Sequence, residues 1–145
     1  MDSEAVAREM LRAFNENDWE AFRATLADGF VYREHGTGRD ASGADAAVEL
    51  IRGWKDGLGP EHHGELVDVV ACGERCALQV VWRAHHVGPM PAPDGSMIAP
   101  TNRPVATPAC MAMTMADGRI AVMDHYFDSL ALMLSIGGVT AGPAR

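Results

Sequence analysis

Cysteine is scarce in this chain and irregularly placed: Cys72, Cys76 and Cys110 are the three in 145 residues. An odd number without framework spacing excludes a disulfide scaffold, and the step from Cys72 to Cys76 is not the CxxC pattern of redox or zinc sites. Reduced thiols suit a cytoplasmic protein. Long apolar runs are missing too, since none approaches the roughly 18 residues of a membrane span. The opening Met1-Asp2-Ser3-Glu4 is acidic, unlike a signal peptide. Positive charge is short, with 12 Lys and Arg against 20 Asp and Glu, a formal charge of −8 and a pI of about 5.1. That balance leaves no electrostatic footprint for nucleic acid or an anionic membrane. No nucleophile elbow, P-loop or dinucleotide fingerprint occurs. None of the six histidines has HxxxH or HxH-plus-carboxylate spacing, so no metal is expected.

What remains is a folded, 48% hydrophobic chain of one-domain length. Val6, Met10, Leu11 and Phe14 stand at helical spacing, with Ser3 as the expected cap. Trp19 and Phe22 suggest a second short helix over 18–26. Asp28-Gly29 reads as a turn, and residues 30–35 as a strand rich in β-formers. Ser42, with Asp45 three residues on, resembles a capping box for a third helix whose apolar stripe is Ala47, Leu50, Ile51 and Trp54. Then the period changes. Residues 63–71 and 76–87 read as strands joined at Gly73, residues 89–100 as a proline-rich loop, and residues 104–115 as another strand. The order predicts an α+β domain over residues 1–137, a curved antiparallel sheet closed by N-terminal helices and long enough for a core with or without a pocket in it, with a loose tail from 138 to 145.

The last third is the most informative. Asp117-Gly118 is a hairpin turn. The strand that follows puts Met123, His125 and Phe127 on one face and Asp124, Tyr126 and Asp128 on the other. The first set is the more apolar, so His125 points inward. A polar group on an apolar face is either hydrogen-bonded or chemically active, and imidazole suits proton transfer near neutral pH.

His86 shares strand parity with Val80, Trp82 and Ala84. It is either a pocket partner of His125 or a solvent-facing strand end. Gln79, Arg83 and His85 occupy the other face, exposed or forming a subunit interface. Either Glu34 or His35 can reach the pocket mouth, and His62-His63 reads as a solvated loop. Trp54, Trp82 and Phe127 offer aromatic surface. Met113 and Met123, among nine methionines, offer an adaptable wall or plain core packing.

Three segments carry a family likeness: Trp82-Arg83-Ala84-His85-His86-Val87-Gly88, Ala99-Pro100-Thr101-Asn102-Arg103-Pro104-Val105, and Asp117-Gly118-Arg119-Ile120 with Tyr126-Phe127-Asp128 and the run from Leu132 to Gly137. In order and spacing they resemble the SnoaL-like polyketide cyclase family of the nuclear transport factor 2-like superfamily. The resemblance implies a cone-shaped α+β barrel enclosing an apolar pocket, and a homodimer or tetramer. It also implies a cofactor-free aldol closure of a hydrophobic, oxygenated substrate such as an aromatic polyketide. The family's acid/base aspartate on the last strand falls at His125. Related limonene-type epoxide hydrolases use an Asp-Arg-Asp set, where this chain has His125 and Arg83-Ala84-His85. Cofactor-independent hydroxylases and isomerases of the same fold are further alternatives, as is a non-catalytic ligand-binding or dimerisation module. His125 and His86 are thus the expected proton-transfer groups.

Overall fold

The computed structural model describes residues 2–139; the tail expected beyond them lies outside the described residues from residue 140 on. The first helix, α1 (Ser3–Asn15), buries Val6, Met10, Leu11 and Phe14 as their spacing requires. Its cap is Asp2, not Ser3: the Asp2 carboxylate accepts from the Ala5 N–H at 2.8 Å, which leaves Ser3 as the first helical residue. Asp18 caps α2 (Trp19–Ala24) in the same way. Burial of a ring such as Phe14 or Phe22 contributes roughly 1.5–3 kcal/mol.

The first strand, β1 (Leu26–Glu34), starts earlier than its β-formers suggest. Asp28-Gly29 does not turn the chain but lies inside the strand, where the pairing register slips between Leu26 and Val31. A short polar strand, β2 (Arg39–Ser42), was not legible in the sequence; it pairs with the end of β1. Ser42 is consumed by β2, so the capping box does not form. Instead α3 (Ala44–Arg52) opens at Gly43, whose φ of 91° suits glycine. Gly53 separates α3 from α4 (Trp54–Leu58), so the expected single helix is two.

The strands β3 (His63–Cys72) and β4 (Arg75–His85) follow as expected. The proline-rich loop holds a minimal hairpin of β5 (Met90–Pro91) and β6 (Met97–Ile98). The pair β7 (Pro104–Ala116) and β8 (Arg119–Phe127) turns at Asp117 and Gly118, both with positive φ, as a two-residue hairpin needs. The last helix, α5 (Ser129–Ile136), is capped by Asp128 and ended by Gly137 in the left-handed region.

Six of the strands form one curved sheet in the order β2-β1-β8-β7-β4-β3. Its edges are β2 and β3, so it is open and not the barrel that the resemblance implied. All pairs are antiparallel except β1 with β8, which run parallel and bring the first strand beside the last. That register sets Tyr32 opposite Met123 and Glu34 opposite His125. The helices α1 and α3 cover the concave face. One core cluster joins α1, α2 and α3 to the sheet, and a smaller one gathers Leu58, Ala84, Met90, Val105, Leu132 and Ile136. No helix among the described residues is long and apolar enough to cross a membrane.

Candidate active site

Where the two clusters meet, the packing leaves a cavity of about 50 Å³. One water occupies roughly 10–15 Å³ on the same measure, so this is a slot for a few waters at rest. Its helix side is Met10, Phe14, Ile51 and Trp54; its sheet side is Tyr32, Trp82, Thr107, Met111, Met123 and His125, with Phe127 and Leu132 at the end. Among the described residues no charged side chain lines it. The methionines can move aside for a larger ligand.

His125 sits on β8 as the strand alternation requires, 7% exposed, while its neighbour Tyr126 is 50% exposed. Three contacts define it. Trp82 Nε1 lies 3.0 Å from His125 Nε2, Tyr32 Oη lies 2.8 Å from Nδ1, and Tyr32 Oη lies 2.7 Å from Glu34 Oε2. An indole N–H can only donate, so Nε2 is the bare acceptor and Nδ1 carries the proton. Nδ1–H donates to Tyr32 Oη, whose own hydrogen goes to Glu34. The imidazole is therefore neutral. Burial pushes its pKa down to about 4, only partly opposed by the charge of Glu34.

Glu34 answers the parity question left open for β1: Tyr32 and Glu34 face inward and His35 faces out. Glu34 is 1% exposed and lies behind the cavity wall. It also accepts from Thr37 Oγ1 at 2.6 Å, Trp54 Nε1 at 2.8 Å and Arg39 Nε at 2.8 Å. Burial alone would raise its pKa. The hydrogen bonds from Thr37, Trp54 and Tyr32, and the charge of Arg39, outweigh burial and hold it below the usual value. Burial, with the charge of Glu34, pushes the Tyr32 phenol far up, so it stays protonated.

His35 lies on the opposite face of the sheet, stacked on Tyr126 at 4.3 Å, with Nε2 2.8 Å from Asp124. It does not reach the cavity. The hydrogen bonds from Arg33 and His35 hold Asp124 at about 2.

His86 is fully buried, but the structure does not bring it to His125. Past the end of β4 its backbone bonds to Arg103 and Asn102, and its Nδ1 accepts from the Thr101 N–H at 3.2 Å. It ties down the loop before β7 and is not a cavity residue. Trp54, Trp82, Met123 and Phe127 line the cavity as expected. Met113 does not: it pairs with Met123 two positions nearer the hairpin, in filled core, whereas Met111 pairs with His125 and lines the slot.

Three polar cavity residues were missed, Tyr32, His62 and Thr107, of which Tyr32 was legible from the strand parity it shares with Glu34. His62 is not a solvated loop residue; it is 5% exposed, with its ring edge-on to Phe14 and Trp82, each at 5.3 Å between centroids. Nothing local in the sequence marks it, because its burial is made by helix and sheet meeting over the loop. Thr107 was legible as the polar residue on the inward face that also carries Val105, Ala109 and Met111.

The sequence matches the family described as SnoaL-like domain over residues 7–123. A search of curated proteins returns no significant match. Among solved structures, the chain is similar to IdmH, a candidate polyketide cyclase from Streptomyces antibioticus (TM-score 0.81, 21% identity, covering 94% of this chain and 99% of that one). It is similar to AclR, a candidate hydroxylase from Streptomyces galilaeus (TM-score 0.80, 22% identity, 97% and 84% covered). It is also similar to a LEH-like epoxide hydrolase from M. tuberculosis (TM-score 0.69, 19% identity, 92% and 88% covered). At such identities the likeness speaks for the fold, which has carried several chemistries.

Proposed function

The chain belongs to the SnoaL-like domain family, and on that premise we propose that it is an enzyme that moves protons without a cofactor on a hydrophobic, partly oxygenated small molecule. Intramolecular aldol closure of a polyketide is the reaction this reading favours. One observation carries it: the chain of hydrogen bonds from Glu34 through Tyr32 to His125, which ends on a cavity lined mostly by apolar side chains. An aldol closure needs a base for a carbon-bound proton beside a carbonyl, a donor for the enolate oxygen, and return of the proton to the new alkoxide. His125 Nε2 takes the proton when Trp82 Nε1–H turns from it to the substrate's oxygen. The resulting imidazolium is supported from behind by Tyr32 and the negative charge of Glu34.

A direct test is hydrogen–deuterium exchange at the central carbon of an aryl 1,3-diketone, followed by NMR. The native protein should accelerate exchange. His125→Ala should lose at least about two orders of magnitude while keeping its circular dichroism, and His125→Asp should recover part. Exchange at the same rate in folded His125→Ala would end the proposal.

A second reading has its own support. Both His125 nitrogens are already hydrogen-bonded, as in a buried structural histidine, and a ligand-binding module of the same fold would look like this. It predicts exchange no faster than without the protein. Epoxide hydrolysis fits less well, because neither carboxylates nor a guanidinium line the cavity.

We further propose a cytoplasmic homodimer, in keeping with the three free cysteines and the exposed sheet face that carries Gln79, Arg83 and His85. Sedimentation as a monomer at tens of micromolar, roughly where a stable interface persists, would refute the dimer.

A further inference from the structure

We propose that His62, assisted by Thr107, is the residue that grips the substrate's oxygen, and that the cavity selects an uncharged, apolar molecule bearing a hydroxyl or ketone. This rests on the reading of the cavity as a substrate site, and extends it to a residue outside the Glu34–Tyr32–His125 chain.

Three observations carry the inference. First, neither ring nitrogen of His62 and not the Thr107 hydroxyl finds a hydrogen-bond partner among the described residues, although both residues are more than nine-tenths buried and line the cavity. Buried polar groups are nearly always partnered, and those that are not call for an explanation. Every other polar group at the cavity is satisfied: Tyr32, His125 and the indole N–H groups of Trp54 and Trp82 all have partners. At the cavity the unmet hydrogen bonds are thus gathered on two side chains; the remaining orphaned buried side-chain atom among the described residues, His86 Nε2, lies away from it.

Second, these two flank one wall. Thr107 is the cross-strand partner of Trp82, and the His62 ring abuts the Trp82 ring. Trp82 also bonds His125, so an oxygen held by His62 lies on the same side of the slot as the proposed base. His62 is itself fixed. Its N–H donates to Gly59 O at 3.2 Å, and its carbonyl accepts from Lys55 Nζ, which also holds the Phe14 carbonyl.

Third, the demand is for a neutral ligand. Burial, then the charge of Lys55, lowers the His62 pKa to about 3, so the ring is an uncharged donor and acceptor. A carboxylate or ammonium in the slot would meet no countercharge.

The test is binding of 1-naphthol, naphthalene and 1-naphthoate to the full chain at neutral pH, read by tryptophan fluorescence and by 15N shifts of the histidine rings. The native protein should bind naphthol at least about tenfold more tightly than naphthalene, the scale of one net hydrogen bond, and naphthoate worst. His62→Phe, which removes an unpaired polar group, should keep naphthalene binding, abolish the naphthol preference and raise the melting temperature. His62→Gln should restore part of the preference, and Thr107→Val should reduce it. Naphthol preference that survives His62→Phe, naphthoate binding as tight as naphthol, or no binding of any probe would each overturn the assignment. Because the readout is affinity, it stands or falls apart from the exchange test on His125.

Discussion

Trp82 Nε1 donates to His125 Nε2 across 3.0 Å, and that one bond decides which imidazole nitrogen holds the proton. It also opposes protonation, since a proton on Nε2 would face the indole N–H. Trp82→Phe should therefore raise the His125 pKa from about 4 towards its ordinary value, measured by 15N NMR titration, while keeping an aromatic ring in the wall. A pKa that stays put or falls would mean that burial alone sets it.

Stability should fall on mild acidification. His62 and His125 have folded pKa values near 3 and 4, below the ordinary 6.5. Between those limits the unfolded chain binds more protons than the folded one, so unfolding free energy rises with pH. The contribution is complete above about pH 6.5 and is lost as pH falls towards 4. His86, also lowered by burial, adds in the same sense. Urea titrations from pH 8 to 4.5 should show a plateau and then a decline with a slope of about two protons or more. A single His62→Phe change should remove about one proton from that slope, and a flat profile would contradict the burial of these rings.

Glu34 should matter more to folding than its place behind the wall suggests. Its two oxygens receive Tyr32, Thr37, Trp54 and Arg39. In Glu34→Gln an amide N–H₂ must face two of those donors, which should cost about 2–3 kcal/mol. Tyr32→Phe, which strands only the His125 Nδ1–H and one acceptor site, should cost about 1–2 kcal/mol. Chemical denaturation of both variants checks the order, and a Glu34→Gln protein within about 0.5 kcal/mol of native stability would refute it.

Gly88 is a steric requirement of the cavity's floor. A Cβ there would lie 2.0 Å from the backbone oxygen of Asp56, and the N–H groups of Val87 and Gly88 both bond to Gly57 O. Backbone cannot step aside as a side chain can. Gly88→Ala should destabilise by about 2–3 kcal/mol and loosen α4, which carries Trp54 and Leu58 into the cavity. Gly29→Ala, which meets open space, should stay within about 0.5 kcal/mol. Equal melting temperatures for the two variants would show that the loop can yield.

The helices and the long strands were legible because each announces itself locally, by period and by turn residues. The inward face of Met123, His125 and Phe127 followed from alternation alone. What escaped was fixed by distant partners. Strand β2 is four mostly polar residues that hold together only against β1, and Asp28-Gly29 falls in the irregular stretch of β1 between its β8 pairings at Leu26 and Val31. The same holds for the site. Trp82 and His125 were both expected in the pocket, but their bond joins residues on non-adjacent strands. His86 was given the role of second histidine from its parity, yet the chain leaves the sheet before that parity can count. His62 has no periodic signal, because Phe14 and Trp82 bury it from either side.

The parallel pairing of β1 with β8 sets an order of events on the ribosome. Tyr32 and Glu34 emerge early, but the strand that completes their network is the last one made, with Tyr32 and His125 93 residues apart. Until β8 is released, β1 and β7 each show an unpaired edge, and closing so long a loop is slow. A nascent chain stopped before Arg119 can hold α1, α2 and the β3–β4 hairpin and still have no proton relay. Chaperone capture of stalled chains should therefore persist until β8 has left the ribosome and then cease, because both open edges are sealed by one strand.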